Sequence, residues 1–512
     1  MKNNTRKKKK VIIIGAGLAG MSAGCFLQMN GFDTEIFEMH SSYGGLCTSW
    51  KRHDYMIDGC IHFMVGTSPG ESTYQFWNEL IDMQSIRFIY SDTHVVVENK
   101  SRERIHFYSD VDQLESELLL KAPEDKLLIN EFIWIIRKFK NMNAPVLKPI
   151  EYMTYRDKLR AAYQMMPYLR SLFKYMKITN RDFAVGFKNA DLRRAWEMAF
   201  VSYSPLFYSI MPLVWRHKKQ AGYPQGGAGY IAGLMEKKYK DLGGTFRFNA
   251  NVTRINSENN LVTGIELANG EKHAADIIVS AADGRTTIYD ILQGNFKDKN
   301  VTDRYESNIF QTIDKTLYVS LGINKDFTEQ PAKLFFPLDK NIYIDPLTTL
   351  DFLEYTHYCE DPSAAPQGKT LLTLMPEAKD WQYWNDLRKN DRQKYDHEKE
   401  RIALEIIDAL DMRFCNIKEN IEMVDVVTPA TYIRYTNNWT GGQISWKGTR
   451  KTFGKSTAWQ IKGLKNFYMT GQWAGVAGGL NNVVMMGNHV TQVICKKEGV
   501  KFNRNKSTVP AD

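Results

Sequence analysis

Residues Val11–Glu38 read VIIIGAGLAGMSAGCFLQMNGFDTEIFE, and this stretch decides the fold. Its first four residues are apolar and β-branched, as in a central parallel strand that is buried on both faces. Gly15, Gly17 and Gly20 follow in G-x-G-x-x-G spacing, and an apolar helical segment comes next. Thr34–Phe37 predicts a second strand. The stretch therefore predicts a strand, a tight turn, a helix and a parallel strand, which is the first unit of a Rossmann-type α/β domain.

The glycine spacing also predicts a dinucleotide site. Gly15 permits the tight turn, Gly17 lets the backbone approach a pyrophosphate, and Gly20 lets the helix pack closely on the strand. The first turn of the helix offers free N–H groups to the phosphates. Glu38 lies 18 residues after Gly20, where a carboxylate accepts both ribose hydroxyls and repels a 2′-phosphate. The binding residues predicted in this stretch are Gly15, Gly17, Leu18, Ala19, Gly20 and Glu38.

The same stretch has two other interpretations. One is a glycine-rich turn in an unrelated α/β protein. The other is a signal peptide or a membrane anchor, because Lys7–Lys10 precede the 22 residues of Val11–Phe32, none of which is charged. The glycine spacing and the acid at the end of the second strand favour the dinucleotide site. We therefore expect a cytoplasmic protein.

Length and charge limit the other classes. The chain of 512 residues suits two or three domains. Its net charge of +9 favours acidic partners such as anionic lipid or nucleic acid. No nucleic-acid motif accompanies the charge, so we predict an anionic membrane surface, with an ordinary basic soluble protein as the alternative. No cluster with metal-ligand spacing occurs, and we predict no metal site.

A Gly-Gly turn and a later element carry a resemblance to a known family. Gly44-Gly45, in HSSYGGLCTSW, follows the acid by six residues. This start resembles that of the flavin oxidoreductases that include amine oxidases and phytoene desaturases. YMIDGCIHF, at Tyr55–Phe63, is similar to the D-x-G-x-H element of the phytoene desaturase, carotenoid isomerase and retinol saturase branch. YPQGGAGYIAGL at Tyr223–Leu234 and the stretch Asn466–Val490 resemble the P-x-G-G segment and the closing flavin motif of that branch.

The resemblance implies FAD as the cofactor. It places the backbone of Val252 against the adenine and Ala281 near the pyrophosphate. A helix that begins at Gly479 would point at flavin N1 and C2, where reduced flavin is negative. The sequence departs from the family pattern at two positions, Leu46 in place of arginine and Gln472 in place of an acid. The further binding residues that the resemblance implies are Gly44, Gly45, Leu46, Val252, Ala281, Gly471, Gln472, Gly479, Leu480 and Asn481.

His62 is the candidate catalytic residue, because the D-x-G-x-H element would place it near the flavin ring and histidine suits acid–base work. Its alternative role is to position Asp58 or a backbone group. Tyr432, Arg434 and Tyr435 are predicted to line the substrate end. The resemblance implies a long apolar isoprenoid or polyene substrate, which is desaturated, saturated or isomerised. A flavin amine oxidase and a lipid-binding escort protein, similar to Rab GDP-dissociation inhibitors, are the alternatives.

The cysteines and two predicted helices bear on the compartment and on the substrate. Six widely spaced cysteines without a C-x-x-C motif indicate a reducing compartment. Cys47 and Cys60 flank the expected flavin site, where a thiol–flavin redox role competes with simple core packing. Helices predicted at Pro123–Met142 and Leu159–Ile178 mix aromatic, methionine and basic residues, which suits a membrane surface or a lipid tunnel. Ordinary core packing is the alternative.

Local patterns predict several strands outside the glycine turn. They lie at His94–Val97, Arg104–Tyr108, Gly243–Ile255, Leu261–Leu267, His273–Val279 and Lys315–Ile323, and Asp276–Asp283 is predicted as a buried strand that ends near the cofactor. Asn269-Gly270 predicts a hairpin turn. Met1–Lys10 is a basic, polar start and Asn503–Asp512 a polar tail.

The predicted fold is a Rossmann-type FAD-binding domain with an inserted mixed α+β substrate domain. The cofactor domain is assembled from three separated segments, because the family motifs lie near both ends of the chain and at its centre. The predicted segments are 1–85 for the first part of the FAD domain, 86–220 for a helical, membrane-facing region, 221–290 for the second part of the FAD domain, 291–420 for the substrate sheet, and 421–512 for the third part of the FAD domain.

Overall fold

The computed structural model describes residues 8–504, except 144–147, 453–454, 456 and 476–477. Most of the predicted basic start, Met1–Lys10, and of the predicted polar tail, Asn503–Asp512, lies outside the described residues.

The strands of the described residues are β1 (Lys10–Ile14), β2 (Asp33–Phe37), β3 (Ser49–Arg52), β4 (Tyr55–Asp58), β5 (Met64–Val65), β6 (Phe88–Ile89), β7 (Thr93–Glu98), β8 (Arg104–Tyr108), β9 (Ala221–Pro224), β10 (Thr245–Arg247), β11 (Val252–Glu258), β12 (Leu261–Leu267), β13 (Lys272–Ala274), β14 (Ile277–Ser280), β15 (Tyr318–Ile323), β16 (Lys333–Asp345), β17 (Thr348–His357), β18 (Thr370–Leu374), β19 (Ile421–Val427) and β20 (Phe467–Met469).

The α-helices of the described residues are α1 (Leu18–Met29), α2 (Ser72–Asn78), α3 (Val111–Lys121), α4 (Lys126–Phe139), α5 (Tyr155–Lys177), α6 (Asn180–Ala184), α7 (Ala190–Ala199), α8 (Phe207–His217), α9 (Gly227–Asp241), α10 (Lys299–Tyr305), α11 (Trp381–Asn390), α12 (Arg392–Phe414), α13 (Pro429–Thr436) and α14 (Leu480–Lys497). A π-helical turn spans Thr286–Ile291.

The predicted Rossmann-type sheet is present and parallel. Its strand order is β10-β2-β1-β14-β20, so the first strand of the chain lies in the middle. Val11, Ile12 and Ile13 are fully buried there, as a central strand requires. The signal-peptide interpretation of Val11–Phe32 is therefore wrong, since that segment forms β1, a glycine turn and α1. No helix among the described ranges combines the length and the apolarity needed to cross a membrane.

Helix α14 closes the domain by packing along α1. The Ser22 hydroxyl on α1 donates to the carbonyl of Val484 on α14 at 2.8 Å. A Cβ on Gly487 would lie only 2.5 Å from Ser22 Oγ, so the two helices touch closely at this glycine. The last segment of the chain therefore packs directly on the first.

Two predicted strands are each divided between sheets. The segment predicted as one strand, Gly243–Ile255, forms β10 in the parallel sheet and β11 in a three-stranded antiparallel sheet. Asn249 between them has φ +52°, which ends the first strand. The segment His273–Val279 likewise divides into β13 and β14. The Asn269-Gly270 turn is confirmed, because β12 and β13 pair antiparallel around it.

A seven-stranded mixed sheet forms the second region, in the order β19-β15-β18-β17-β16-β7-β8. Its core includes Leu321 and Leu372, and α12 packs on it through Ile402 and Ile406. The predicted strands at His94–Val97 and Arg104–Tyr108 are confirmed as β7 and β8. β19 pairs with β15 in this sheet, so residues 421–427 belong with the substrate sheet. The five-segment division stays a prediction. The pairing of β19 would place the start of its last segment after Val427 and not at residue 421.

Helices α3 to α8 form a third layer beside β7 and β8. Phe132 on α4 and Trp196 on α7 are buried at its centre, with ring centroids 4.8 Å apart. The two helices predicted in this region are present, as α4 and α5. α5 begins earlier than predicted, because Thr154 and Asp157 form a capping box at its N-terminus.

Candidate functional site: a dinucleotide cleft at the strand ends

The site begins where three parallel strands end side by side. The N–H of Ala281, after β14, donates to the carbonyl of Ile14 at 2.9 Å. The N–H of Thr470, after β20, donates to the carbonyl of Ser280 at 2.9 Å. Open α/β sheets bind ligands outside the carboxyl ends of their strands. The predicted residues Gly15, Ala281 and Gly471 therefore come together at one edge, although they are far apart in the chain.

The glycine turn has the geometry that the spacing predicts. Gly15 has φ +101°, which favours glycine. A Cβ on Gly20 would lie 2.0 Å from the carbonyl oxygen of Gly15, so only glycine lets the helix start here. At Gly17 the nearest atom to a built Cβ is the Gly44 carbonyl oxygen, at 3.9 Å. Gly17 therefore leaves open space beside the start of α1, where Leu18 and Ala19 lie.

Glu38 is fixed to the glycine turn by hydrogen bonds. Its Oε2 accepts from the backbone N–H of Ala16 at 2.7 Å, and its Oε1 accepts from the N–H of His40 at 2.9 Å. The residue is 8% exposed. Each carboxylate oxygen accepts more than one hydrogen bond. Glu38 therefore keeps acceptor capacity for two ribose hydroxyls while its position is locked.

The Gly44-Gly45 turn packs against the glycine turn. The N–H of Gly44 donates to the carbonyl of Ala16 at 2.9 Å. A Cβ on Gly45 would lie 3.2 Å from the Cα of Gly17. Leu46, at the position where the family carries arginine, packs on an apolar cluster around Tyr55. The two glycine segments thus form one wall, and the arginine charge is replaced by an apolar contact.

The segment before β11 lies beside the acid. The N–H of Ala250 donates to the backbone carbonyl of Glu38 at 2.8 Å, and the buried Val252 follows two residues later. Tyr435, predicted at the substrate end, lies near His40, with ring centroids 4.7 Å apart and ring planes tilted by 39°. The His40 N–H also donates to Glu38, so Tyr435 lies close to the predicted ribose-binding acid, and its role at the substrate end stays a prediction.

Gln472 is held by a neighbouring loop. Its Oε1 accepts from the N–H of Ser445 at 3.1 Å, and its backbone carbonyl accepts from the Ser445 hydroxyl at 2.9 Å. Gly471 has φ +86°, and a Cβ on it would lie 3.1 Å from Ala19 Cβ. The amide thus ties the strand end to the loop, and Gly471 keeps the backbone close to α1.

At the N-terminus of α14, Gly479 leaves space among the described residues. Gly479 has φ +102°, and a Cβ built on it meets nothing within 4 Å. Leu480 begins the helix, and the Asn481 side chain accepts from the indole N–H of Trp77 at 2.8 Å. The helix dipole is therefore presented to open space at this end. A flat ring system with developing negative charge fits there.

Asp58 joins three parts of the site. Its Oδ1 accepts from the N–H groups of Cys60 and Ile61, both at 2.8 Å, and its Oδ2 accepts from the N–H of Ala228 at 2.9 Å. Burial raises the pKa of Asp58 to about 6. This carboxylate positions backbone and receives no bond from His62. The alternative role of His62, to position Asp58, is therefore not seen.

The ring nitrogens of His62 are buried, and the positive charges of Lys333 and Arg216 lie close enough to act on the ring. Within the described part of the chain, neither ring nitrogen has a hydrogen-bond partner. Burial, followed by the charges of Lys333 and Arg216, lowers the pKa of His62 to about 3. The ring is neutral at physiological pH. Cys60 stands two residues before it, at the position of glycine in the family's D-x-G-x-H element.

Lys315 is a functional candidate that the sequence does not reveal. It is 6% exposed, and its Nζ donates to Thr312 Oγ1 and to the carbonyl of Ile313, both at 2.7 Å. Burial lowers the pKa of Lys315 to about 8. The N–H of Ile313 donates to the carbonyl of Ser445, which also holds Gln472. In the sequence Lys315 is only the first residue of a predicted strand, so it carries no separate signal.

Asp283 is a second missed residue. It follows Ala281 by two positions, and its Oδ1 accepts from the N–H of Thr286 at 2.8 Å. Its Oδ2 is buried with no partner among the described residues. Burial raises the pKa of Asp283 to about 7. The sequence offered one signal, since this aspartate ends the buried segment Asp276–Asp283 at the cofactor edge.

These residues fit FAD. The space at Gly17 and at Gly479 would admit a pyrophosphate and a ring system, and the anchored Glu38 would hold a ribose. The lining carries backbone donors, a carboxylate and a helix N-terminus, which is the donor set that a dinucleotide needs. Among the described residues no group of acidic, histidine and cysteine side chains is placed to hold a metal ion.

Comparison with known proteins agrees with the geometry. Residues 13–80 match the model of an NAD(P)-binding Rossmann-like domain. A 4,4'-diapophytoene desaturase of Methylomonas sp. is 22% identical, over 96% of each chain. A prolycopene isomerase of an Oncidium hybrid cultivar is 25% identical, over 83% of this chain and 73% of the relative. An inactive all-trans-retinol 13,14-reductase of Danio rerio is 24% identical, over 82% and 74%.

The chain is a homologue of carotenoid desaturases and isomerases. The relationship confirms the predicted resemblance, the FAD-dependent oxidoreductase class and FAD as the cofactor. A solved structure of putrescine oxidase superimposes with a TM-score of 0.61 at 11% identity, over 96% of this chain and 99% of that one. At this identity the likeness concerns the fold alone. It confirms the predicted fold class.

Proposed function

We propose that this desaturase homologue is an FAD-dependent oxidoreductase that acts on C–C or C=C bonds of a long apolar isoprenoid or polyene. The observation that carries the proposal is the near full-length relationship to a diapophytoene desaturase, in a chain whose glycine turn, anchored Glu38 and open α14 N-terminus are all intact. The amine oxidase and escort alternatives are not favoured, since the relatives described above are a carotenoid desaturase, a carotenoid isomerase and a retinol reductase.

The cofactor, when bound, supplies hydride or electron transfer at flavin N5. The chain's own residues bind, orient and exclude water. Glu38 would hold the ribose, the Gly17 turn the pyrophosphate, and the α14 N-terminus would stabilise negative charge at the ring. His62, neutral and without a hydrogen-bond partner among the described residues, would contact the apolar substrate or the ring edge. Lys315, with its pKa of about 8, is the group placed to hold or move a proton.

An anaerobic absorption experiment tests the proposal. The purified protein is expected to show flavin bands that bleach with dithionite and return with air. The reduced and the oxidised protein are then incubated with colourless and coloured C30 and C40 polyenes, and the products are separated and weighed. Loss of two hydrogen atoms identifies desaturation, gain of two identifies saturation, and an unchanged mass with altered retention identifies isomerisation. A colourless protein that cannot be reconstituted with FAD would overturn the proposal in favour of a lipid-binding escort.

The peripheral membrane location is part of the same proposal, and helix α5 supports it. One face of α5 carries large apolar residues that are exposed in this chain, at helical spacing of three or four residues. Soluble proteins rarely expose a continuous row of large apolar side chains, and such a row marks an interaction surface. Its members are Tyr155, Leu159, Tyr163, Met166, Leu169 and Phe173.

The charges around this stripe favour an anionic membrane as the occupant. Lys158 and Arg170 lie on α5, one on each side of the apolar stripe. Trp134, on the neighbouring α4, is 53% exposed beside Lys138, whose Nζ lies 4.8 Å from its ring. Aromatic and basic residues around an apolar face are typical of a helix that lies in a lipid interface. The overall charge of +9 adds long-range attraction.

Liposome sedimentation tests this location. The protein is expected to co-sediment with phosphatidylglycerol vesicles at low salt and to be released as salt rises. Met166→Glu should weaken binding several-fold, because it places a charge on the exposed apolar face that is proposed to enter the lipid. Met412→Glu is the matched control, since Met412 is 58% exposed on α12, away from the stripe. Equal binding of the two variants would contradict the proposed surface.

A further inference from the structure

Arg216 is a largely buried cation that pairs with no carboxylate of the described residues. It lies in the last turn of α8, and its Nε is buried without a hydrogen-bond partner among them. Its guanidinium instead contacts an aromatic ring, since Cζ lies 5.0 Å from the ring centroid of Phe63. Burial lowers the pKa of Arg216 to about 10, so the side chain stays charged at neutral pH. A buried charge is costly unless an anion pairs with it.

Two histidines near Arg216 also keep buried nitrogens without partners. His62 precedes Phe63 in the chain, and neither of its ring nitrogens is bonded to a described residue. His94, on β7, has a buried Nδ1 that likewise has no partner in the described ranges. Burial lowers the pKa of both rings, and the charge of Arg216 adds to the effect on each. A neutral imidazole still carries one N–H donor. The site therefore offers a positive charge and imidazole donors together.

Hydrogen bonds hold the three segments of this site against each other. The N–H of Val111, which follows β8, donates to Nδ1 of His217 at the end of α8, at 3.2 Å. β8 in turn pairs with β7. The hydroxyl of Tyr90, before β7, donates to Thr67 Oγ1, after β5, at 3.1 Å. β5 also pairs with β9, the strand that follows α8. The end of α8, the segment of His62 and the start of β7 are therefore tied together.

Arg216 leaves one positive charge to be neutralised at this site. The other two lysines nearby are already paired, Lys218 with Glu71 and Lys333 with Glu354. A phosphate monoester carries about −1.5 to −2 charges at pH 7, more than a single guanidinium neutralises. A carboxylate carries one negative charge, and its two oxygens match the two-pronged donor face of a guanidinium. The site therefore fits a monocarboxylate better than a phosphate.

The surroundings of the charge suit a ligand with an apolar body. The ring of Phe200 stacks on His94, with centroids 6.0 Å apart, and Phe63 lies on the guanidinium. α8 packs on α4 and on α5, the helix that carries the exposed apolar stripe. An apolar chain that ends in a carboxylate would thus find aromatic contacts next to its charged end.

We propose that Arg216, with His62 and His94, binds the carboxylate end of a polyene substrate. This inference rests on the proposed function and narrows its substrate class to polyene acids. No bond is made or broken at this site. Holding one end of an extended chain fixes how far the chain reaches into the protein, so the site would determine which of its double bonds reacts.

Equilibrium binding to the full-length protein, as purified and after loading with FAD, tests the preference for a carboxylate. The probes are all-trans-retinoate, its methyl ester, retinyl phosphate and oleate, and dissociation constants are measured by calorimetry. Retinoate is expected to bind at least about tenfold more tightly than the ester, which lacks the charge that pairs with the guanidinium. An ester or a phosphate that binds as tightly would overturn the carboxylate assignment, and oleate that binds as tightly would overturn the polyene.

Substitution of Arg216 separates ligand binding from folding. Arg216→Met keeps an apolar stem of similar length on Phe63 and removes the charge. It should weaken retinoate binding at least about tenfold and leave binding of the ester unchanged. It should also raise the urea midpoint of the ligand-free protein, because an unpaired buried charge destabilises a fold. Arg194→Met is the matched control, since Arg194 also lies over a ring, that of Phe352 at 5.7 Å, but pairs with Asp351.

The two measurements give distinct outcomes. An Arg216→Met protein with a lower urea midpoint than the wild type would show that the arginine serves the fold, and it would overturn the proposal. Unchanged retinoate affinity in this variant, or an equal loss in Arg194→Met, would do the same. Retinoate binding that depends on Arg216, in a protein that takes up no FAD, would contradict the proposed function and still support the carboxylate site.

Discussion

The carboxylate of Glu38 accepts a hydrogen bond from the backbone N–H of Ala16 at 2.7 Å. The acid proposed to bind the ribose and the turn proposed to bind the phosphates are therefore joined to each other before any cofactor arrives. Preorganisation of this kind lowers the cost of binding, since fewer groups become ordered when the ligand enters.

Glu38→Ala should weaken FAD binding by at least tenfold. The change removes hydrogen bonds to a charged acceptor, each of which contributes about 1.5–3 kcal/mol, and it frees the N–H of Ala16. The dissociation constant is measured by calorimetry on the apoprotein. Glu35→Ala is the matched control, because Glu35 lies on the same strand but pairs with Arg247 away from the cleft. Equal affinities in the two variants would contradict the ribose assignment.

Two glycines in one turn should separate folding from binding. Gly20→Ala places a Cβ 2.0 Å from the Gly15 carbonyl oxygen, so it should destabilise the fold by about 2–4 kcal/mol, in the range of overpacked sites. Gly17→Ala meets no atom closer than 3.9 Å, so the apoprotein should keep its stability while FAD affinity falls. Urea unfolding and calorimetry on both variants check this. A Gly17→Ala apoprotein that is as unstable as Gly20→Ala would show that Gly17 serves the fold.

His62 should make the fold sensitive to acid. Its pKa is about 3 when folded and about 6.5 when unfolded. The unfolded chain therefore takes up a proton that the folded chain refuses, and stability is lost as pH falls from about 6.5 towards 3. Between pH 6.5 and 5 this amounts to about 1–2 kcal/mol. Burial raises the pKa of Asp58 to about 6, which changes stability with pH in the opposite direction. The effect of His62 is therefore measured as the difference between the wild type and His62→Gln, and not from the pH dependence of the wild type alone.

Denaturant midpoints of the wild type and His62→Gln at several pH values measure the difference. The difference in unfolding free energy between the wild type and His62→Gln should change by about 1–2 kcal/mol between pH 6.5 and 5. A constant gap would mean that the ring titrates normally and is not enclosed as described.

Lys315→Met should lower turnover while leaving FAD affinity unchanged. The lysine is tied through Ile313 and Ser445 to Gln472 but does not contact the glycine turn. With its pKa near 8, it changes charge between pH 7 and 9, so the wild-type turnover should change across that range and the variant should not. Lys325→Met is the control, since Lys325 caps carbonyls at the end of α12. An unchanged pH profile in Lys315→Met would remove the lysine from proton handling.

Local signals predicted the parts of this protein that depend on neighbours in sequence. The strand–turn–helix at Val11–Glu38, the Asn269-Gly270 hairpin and the start of α14 follow from periodicity and from glycine conformations. The divided strands were missed, because a turn such as that at Asn249 carries no glycine or proline. Lys315 and Asp283 were missed because their unusual pKa values arise from burial by distant segments. The contact of Tyr435 with His40 was missed for the same reason, since only the tertiary fold brings the two rings together.

The sheet that forms the site takes its strands from residues 10–14, 33–37, 245–247, 277–280 and 467–469. During synthesis the chain leaves the ribosome from the N-terminus, so β1 and β2 wait for more than four hundred residues before β20 and α14 are available. Such long-range pairing is slow to form and leaves an apolar sheet edge open in the meantime. Of the elements made before β20, α9 packs on α1 and is available to cover part of the domain in the meantime. The cofactor cleft is completed only at the end of translation, and no N-terminal fragment of this protein can hold it.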